Sequence, residues 1–309
     1  MQKFDDSNSR ARVIRAHALG FCMGVRRAVE FAYAENQPPV YTLGTLIHNP
    51  HVLNELKRRG VETLNEEDLP ADLRGACVII RAHGLSPQTE AELRRRGARV
   101  VDATCPRVKS SQLKAAAFAQ SGYRLFLAGE EHHAEITGIR RYYENDAPLC
   151  AVVSNAAEAE KAAAQLRKES PNAKTALIGQ TTISEEEYRG IGAVIARYFP
   201  DLEIAQTICA ATKERQDSLR EIADKVDAII IAGGKDSANT RRLLAIAEAA
   251  GKPCALVETP ADIPPDFFKF NAIGLASGTS TPDTVIDDIE RALSEPYIPQ
   301  KSLNLSYLG

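Results

Sequence analysis

The sequence predicts an α/β fold built from small, mostly parallel sheets. Short apolar runs alternate with amphipathic stretches along the chain, the pattern of parallel strands covered by crossover helices. Eleven or so runs are too many for one ordinary open sheet, so three sheets of about four strands each are expected. Cysteine, histidine and small polar residues follow the runs in turn-like sequence, and open α/β sheets present ligands beyond the carboxyl ends of their strands.

Taken in order, the expected strands are 13–17 (VIRAH), 40–43 (VYTL), 77–82 (CVIIRA), 99–103 (RVVDA) and 124–128 (RLFLA). They continue with 150–153 (CAVV), 175–178 (TALI), 203–206 (EIAQ), 228–231 (AIII), 254–257 (CALV) and 272–276 (AIGLA). Between most of them lie stretches with helical spacing, such as 157–168 and 240–250. The expected division is a tail 1–12, α/β domains 13–106, 107–207 and 208–294, and a C-terminal arm 295–309 without clear period.

Composition narrows the function. Hydrophobic residues at 44% and charged residues at 26% suit a soluble globular protein. A net charge of −3 gives no footprint for nucleic acid and no basic face for anionic lipid. Trp is absent and aromatics are 6%, so base-stacking platforms are not expected. The start, MQKFDDSNSR, lacks the pattern of a secretory signal. No apolar run approaches the about 18–20 residues of a membrane helix. A cytoplasmic protein is expected.

Six cysteines fall into two groups. Cys77, Cys150 and Cys254 sit inside or at the start of apolar runs, where a cysteine acts as a small hydrophobe. Cys22 (GFCMGV), Cys105 (DATCPRV) and Cys209 (TICAATK) follow strand-like runs and lie roughly 80 to 105 residues apart. No two of these form a local pair, so only the fold brings them together. Three thiolates on three turns suit an iron–sulfur cubane with one iron left open to a substrate oxygen. Disulfides are the weaker alternative in a reducing cytosol.

Histidines also mark strand ends: His48 in LIHNPH, His83 in RAHGLSP, His132 and His133 in EEHHAEITG. One such histidine would be read as a satisfied polar residue; several, beside the cysteine pattern, point to a shared site. Zinc would leave the cysteines and the hydroxylic cluster unexplained. Thr181 and Thr182 (GQTTIS), Ser237 and Asn239 (GGKDSANT), and Ser280 (SGTSTPD) stand at other strand ends, with Pro282 fitting a first helical turn. Each is first of all a candidate helix cap. Together they would present hydroxyls, an amide and helix N-termini to a phosphate-type anion. There is no P-loop, and no GxGxxG follows a strand. Glu135, two residues after His133, would favour a helix dipole or, in a dry pocket, carry a proton. The basic runs Arg58–Arg59 and Arg94–Arg96 are read as solvated helix faces, with docking of an acidic electron carrier as the alternative.

The segments GFCMGVRRAVE, LIHNPHV, RAHGLSP, DATCPRV, HHAEITG, GQTTIS, TICAATKERQ, GGKDSANTRRL and ASGTSTPD resemble the 4-hydroxy-3-methylbut-2-enyl diphosphate reductases, the LytB family, from about residue 13 to 292. The resemblance implies a trefoil of three α/β domains around a central [4Fe–4S] cluster held by Cys22, Cys105 and Cys209. It implies a diphosphate held by His48, His83, His133, Ser237, Asn239 and Ser280, with Glu135 delivering protons and Thr181 ordering the substrate hydroxyl. The reaction implied is loss of that hydroxyl as water with two electrons and two protons, giving isopentenyl and dimethylallyl diphosphate. Electrons would come from flavodoxin or ferredoxin. One departure is Ala238, where the family often has a second serine; its backbone N–H remains for the diphosphate. The alternatives are an aconitase-like hydro-lyase, which would turn over without a reductant, and a non-enzymatic iron–sulfur redox sensor, which would need neither Glu135 nor Thr181.

Overall fold

The computed structural model describes residues 11–37, 39–47, 49–144 and 151–295. It begins with β1 (Arg12–Arg15), α1 (Met23–Ala34), β2 (Val40–Leu43), α2 (Pro50–Arg58), β3 (Val61–Leu64) and β4 (Cys77–Ile80). There follow α3 (Pro87–Arg95), β5 (Arg99–Asp102), α4 (Pro106–Gln120), β6 (Arg124–Ala128), α5 (Ala134–Glu144) and β7 (Ala151–Val153). Next are α6 (Ala156–Glu169), β8 (Thr175–Gly179), α7 (Glu185–Tyr198), β9 (Glu203–Ile204), α8 (Ala210–Ala223) and β10 (Ala228–Ala232). The last are α9 (Ala238–Ala249), β11 (Cys254–Val257), two short 3-10 turns, β12 (Ala272–Ser277) and α10 (Asp283–Ser294).

The strands form three four-stranded sheets, in the orders β3-β2-β4-β5, β7-β6-β8-β9 and β1-β12-β10-β11. Every pairing is parallel. This is the α/β architecture of three small parallel sheets expected from the alternation. The chain divides into two compact units. One, Phe21–Glu214, holds the first two sheets; the other joins, among the described residues, 11–20 with 215–295 and holds the third.

Strands buried on both faces read as continuous apolar runs, and β4, β8 and β10 are buried at every residue. Ile79, Ile178 and Ile230 have no exposed surface, each such side chain contributing about 1.5–3 kcal/mol by burial. Helices start where short polar side chains meet orphan N–H groups: Asn49, Ser86 and Asn155 cap α2, α3 and α6. Ser184 and Glu187 form a reciprocal capping box on α7. Cys77 lies in an apolar cluster, as its surroundings predict.

Two features depart from the sequence reading. β3 was not expected, because VETL is a half-exposed edge strand with few apolar residues. β1 does not pair with its neighbours in sequence but with β12, Val13 lying opposite Ile273. The stretches after 295, before 11 and at His48 and Cys150 lie outside the described residues.

Candidate active site

Each of the three cysteines stands at a helix N-terminus in the unit Phe21–Glu214. Cys22 and Cys105 are the N-cap residues of α1 and α4. Cys209 directly precedes α8, its carbonyl accepting from the N–H groups of Thr212 at 2.9 Å and Lys213 at 3.0 Å. All three are half-buried and free of disulfides. None of the three helices has an acidic residue in its first turn, whereas α3, α6 and α7 do. The positive ends of α1, α4 and α8 are therefore left for an anion. Burial pushes the Cys105 thiol up, the N–H groups of Arg107 and Val108 pull it down, and like charge on Cys22 and Cys209 raises it. Three thiols within electrostatic reach of one another could ionise together only with cationic compensation. Among the described residues, no three His, Cys, Asp or Glu side chains close around a single ion.

The supports of Cys105 are specific. Its N–H donates to Ala82 O at 2.9 Å, tying together the loops that leave β4 and β5. Arg27 of α1 donates to Thr104 O at 2.9 Å and Asp102 O at 3.1 Å. A Cβ added at Gly24 would fall 2.7 Å from Cys105 Sγ and 2.9 Å from its Cβ. The first turn of α1 thus passes against the Cys105 side chain, and only glycine fits there.

β6 and β8 are neighbours with Ala128 opposite Gly179, so the loops beyond their carboxyl ends meet. Glu135, in the first turn of α5, is 1% exposed. The Thr181 N–H donates to its Oε1 at 2.7 Å and the Thr181 hydroxyl to its Oε2 at 2.8 Å. The Thr181 carbonyl in turn accepts from the Cys209 N–H at 3.0 Å. Burial pushes the Glu135 carboxyl up to about 7, against the pull of the Thr181 hydrogen bonds. The Glu135 N–H donates to His133 Nδ1 at 3.2 Å, which puts the proton of a neutral His133 on Nε2. The His133 and His83 rings meet edge to face with centroids 5.3 Å apart. His83, His133, Glu135, Thr181 and Cys209 are thereby linked by direct contacts. His132 is exposed.

In the other unit, β10 and β12 are neighbours with Ala232 opposite Ser277. The loops beyond them carry Ser237, Asn239 and Ser280. Ser237 caps α9, its Oγ accepting from the Thr240 N–H at 3.3 Å. Ala238, Asn239 and Ser280 are buried. Neither Oδ1 nor Nδ2 of Asn239 has a hydrogen-bond partner among the described residues. A buried amide left unmatched costs about 1–3 kcal/mol, which a polar ligand at this side chain would recover. α9 also lacks an acidic first turn. Pro282 is the N-cap of α10, one residue ahead of the first turn in which the sequence places it.

Sequence reasoning missed three supporting residues: Gly24, Arg27 and Gln180. Gln180 is fully buried, and its Oε1 accepts from the Glu130 N–H at 3.0 Å, which holds the loop before His133. The signal available in sequence was the absence of Asp and Glu just after each of the three cysteines. The basic runs are solvated apart from Arg96, which is half-buried and also donates to the Leu69 and Pro70 carbonyls. Arg59 pairs with Glu55, Arg94 with Glu90, and Arg95 and Arg96 with Glu92.

Known proteins match this chain over most of its length. The model of the LytB protein family matches residues 13–294. A Treponema denticola protein named 4-hydroxy-3-methylbut-2-enyl diphosphate reductase is 42% identical over 292 residues, 92% of this chain and 99% of that protein. An Aquifex aeolicus protein of the same name is 37% identical over 287 residues, 92% of this chain and 96% of the other. The solved E-1-hydroxy-2-methyl-but-2-enyl-4-diphosphate reductase of Plasmodium falciparum superposes with a TM-score of 0.84 at 28% identity, covering 93% of this chain and 89% of that one. A second structure, described as (E)-4-hydroxy-3-methyl-but-2-enyl diphosphate reductase, the terminal enzyme of the non-mevalonate pathway, gives 0.66 at 35% identity, covering 92% and 99%. The chain belongs to the LytB protein family.

Proposed function

We propose that this protein is the reductase that converts (E)-4-hydroxy-3-methylbut-2-enyl diphosphate to isopentenyl and dimethylallyl diphosphate, the last step of the non-mevalonate pathway. The observation that carries the reading to residues is the hydrogen-bonded chain Glu135–Thr181–Cys209, which joins a proton-holding carboxyl to a thiol-bearing helix start. In balance, the substrate C–O bond breaks. One proton turns the hydroxyl into water, and the other, with two electrons, closes a C–H bond on the allyl fragment.

Cys22, Cys105 and Cys209 are assigned to a [4Fe–4S] cluster. Soft thiolate donors, three helix N-termini without acidic neighbours and the like charge felt at Cys105 suit such a group. When bound, the cluster would supply electrons one at a time and an open iron as Lewis acid.

Glu135 is the proton donor. With its carboxyl pushed up to about 7, about half of it carries a proton at neutral pH. The Thr181 hydroxyl, bonded to Oε2, orders the substrate hydroxyl against that carboxyl. Ser237, Asn239, Ser280, the Ala238 N–H, His83, His133 and His48 are assigned to the diphosphate. The unmatched Asn239 amide and the acid-free start of α9 favour an anionic ligand there. Electrons are assigned to an external one-electron carrier, flavodoxin or ferredoxin. No helix among the described residues is long and apolar enough to cross a membrane, and a cytoplasmic location is part of the proposal.

Cys105→Ala tests this assignment against Cys254→Ala, whose thiol lies at the start of β11. Anaerobically reconstituted Cys105→Ala is expected to lose at least half its iron and sulfide and nearly all turnover. Cys254→Ala should keep both. Full iron and full turnover in Cys105→Ala would remove the cysteine from the site.

A further inference from the structure

We infer that the outer face of α4, beside Cys22 and Cys105, is the docking surface for a small acidic one-electron carrier protein. The inference rests on the redox reading above, because a reductase without a flavin or nicotinamide motif must receive electrons from outside.

Two shallow depressions adjoin on this face and share Pro106 and Ser110. One, about 310 Å³, is bounded by Met23 and Arg107. The other, about 480 Å³, is bounded by Leu113 and Lys114. Met23 directly follows Cys22, and Pro106 directly follows Cys105. Electron tunnelling falls off steeply with distance, so a carrier seated here would reach the thiols through one or two residues.

The chemistry of the face is that of an interface. Among the described residues, the large apolar side chains that stand exposed are Met23 and Leu113, each 57%, and Ile204 at 41%. Two of these three lie on this face, and exposed apolar groups beside polar ones mark contact sites.

Charge selects the partner. α4 has no Asp or Glu anywhere in Pro106–Gln120, and carries Arg107, Lys109 and Lys114. Lys109 is engaged by Asp102. Arg107 has no ion-pair partner among the described residues, and Lys114 reaches only the Gln206 carbonyl at 3.5 Å. The arginines of α3, by contrast, are already paired, Arg94 with Glu90 and Arg95 with Glu92. Positive charge without an acidic partner thus sits beside the apolar contacts and the thiols, and would steer an acidic carrier there.

The test uses reconstituted full-length protein and an acidic bacterial-type ferredoxin as the probe. The double variant Leu113→Glu with Lys114→Glu is compared with the parent and with Arg95→Glu on α3. Binding at low ionic strength should weaken at least tenfold in the double variant only, and ferredoxin-driven turnover should fall with it. Turnover driven by dithionite and a viologen, which needs no docking, should stay within twofold. Unchanged ferredoxin affinity, equal loss of both activities, or no ferredoxin binding by the parent would each overturn the inference. Absence of dithionite-driven turnover in the parent would instead sink the redox reading itself.

Discussion

Glu135→Gln is expected to keep its iron and sulfide, bind substrate and lose turnover by roughly 10²–10⁴-fold, the usual contribution of a positioned acid. The amide fills the same buried space and can still accept from Thr181, but it has no proton to give. In the parent, turnover should fall as pH rises through about 7, where burial places the carboxyl. The same group sets a stability term of opposite use. Its folded value lies above its ordinary 4.5, so the native state holds the proton more tightly than the unfolded chain. The stabilisation is therefore complete below about 4.5 and is lost as pH rises through about 7, a difference of roughly 3 kcal/mol. Denaturant titrations at pH 5 and pH 8 check this: the parent should lose stability between them, and Glu135→Gln should lose less. A variant that turns over normally, or a pH–rate profile flat from 6 to 8, would remove Glu135 as the acid.

Gly24→Ala should separate stability from cluster assembly. Alanine favours a helix over glycine by about 1 kcal/mol, while crowding in a packed site costs about 1–3 kcal/mol. The fold should survive. The new methyl would lie 2.7 Å from Cys105 Sγ. The Cys105 backbone has little room to retreat, since its N–H is fixed on Ala82 O and Arg27 holds the preceding carbonyl. The thiol must therefore rotate or α1 must shift. Iron and sulfide per chain after anaerobic reconstitution should fall several-fold, and turnover at least tenfold, with the circular dichroism of the fold retained. Full iron content and parent-like turnover would show that the close approach is not needed.

The parts that could be read from sequence are those whose signal is local. Nearly continuous apolar runs gave away β4, β8 and β10 because burial on both faces disfavours polar residues, Thr175 being the one exception. β3 escaped because an edge strand with Glu62 facing water carries half the apolar signal. The pairing of β1 with β12 escaped for another reason: a strand's sequence shows that it exists, not which distant strand it joins. The three cysteines were visible as turn residues after strands, and the family resemblance singled out Glu135 and Thr181. Their hydrogen bonds, and the Thr181 link to Cys209, are tertiary distances that no spacing states. Gly24 and Arg27 belong to the same class. A glycine in a first turn looks like any weak helix former until the thiol it touches is in place.

The most direct measurement is anaerobic turnover of the reconstituted protein on (E)-4-hydroxy-3-methylbut-2-enyl diphosphate, with and without dithionite and a viologen mediator. Isopentenyl and dimethylallyl diphosphate should both appear, only when the reductant is present. An iron- and sulfide-loaded protein that makes neither product, or that consumes the substrate equally well without reductant, would contradict the reductase.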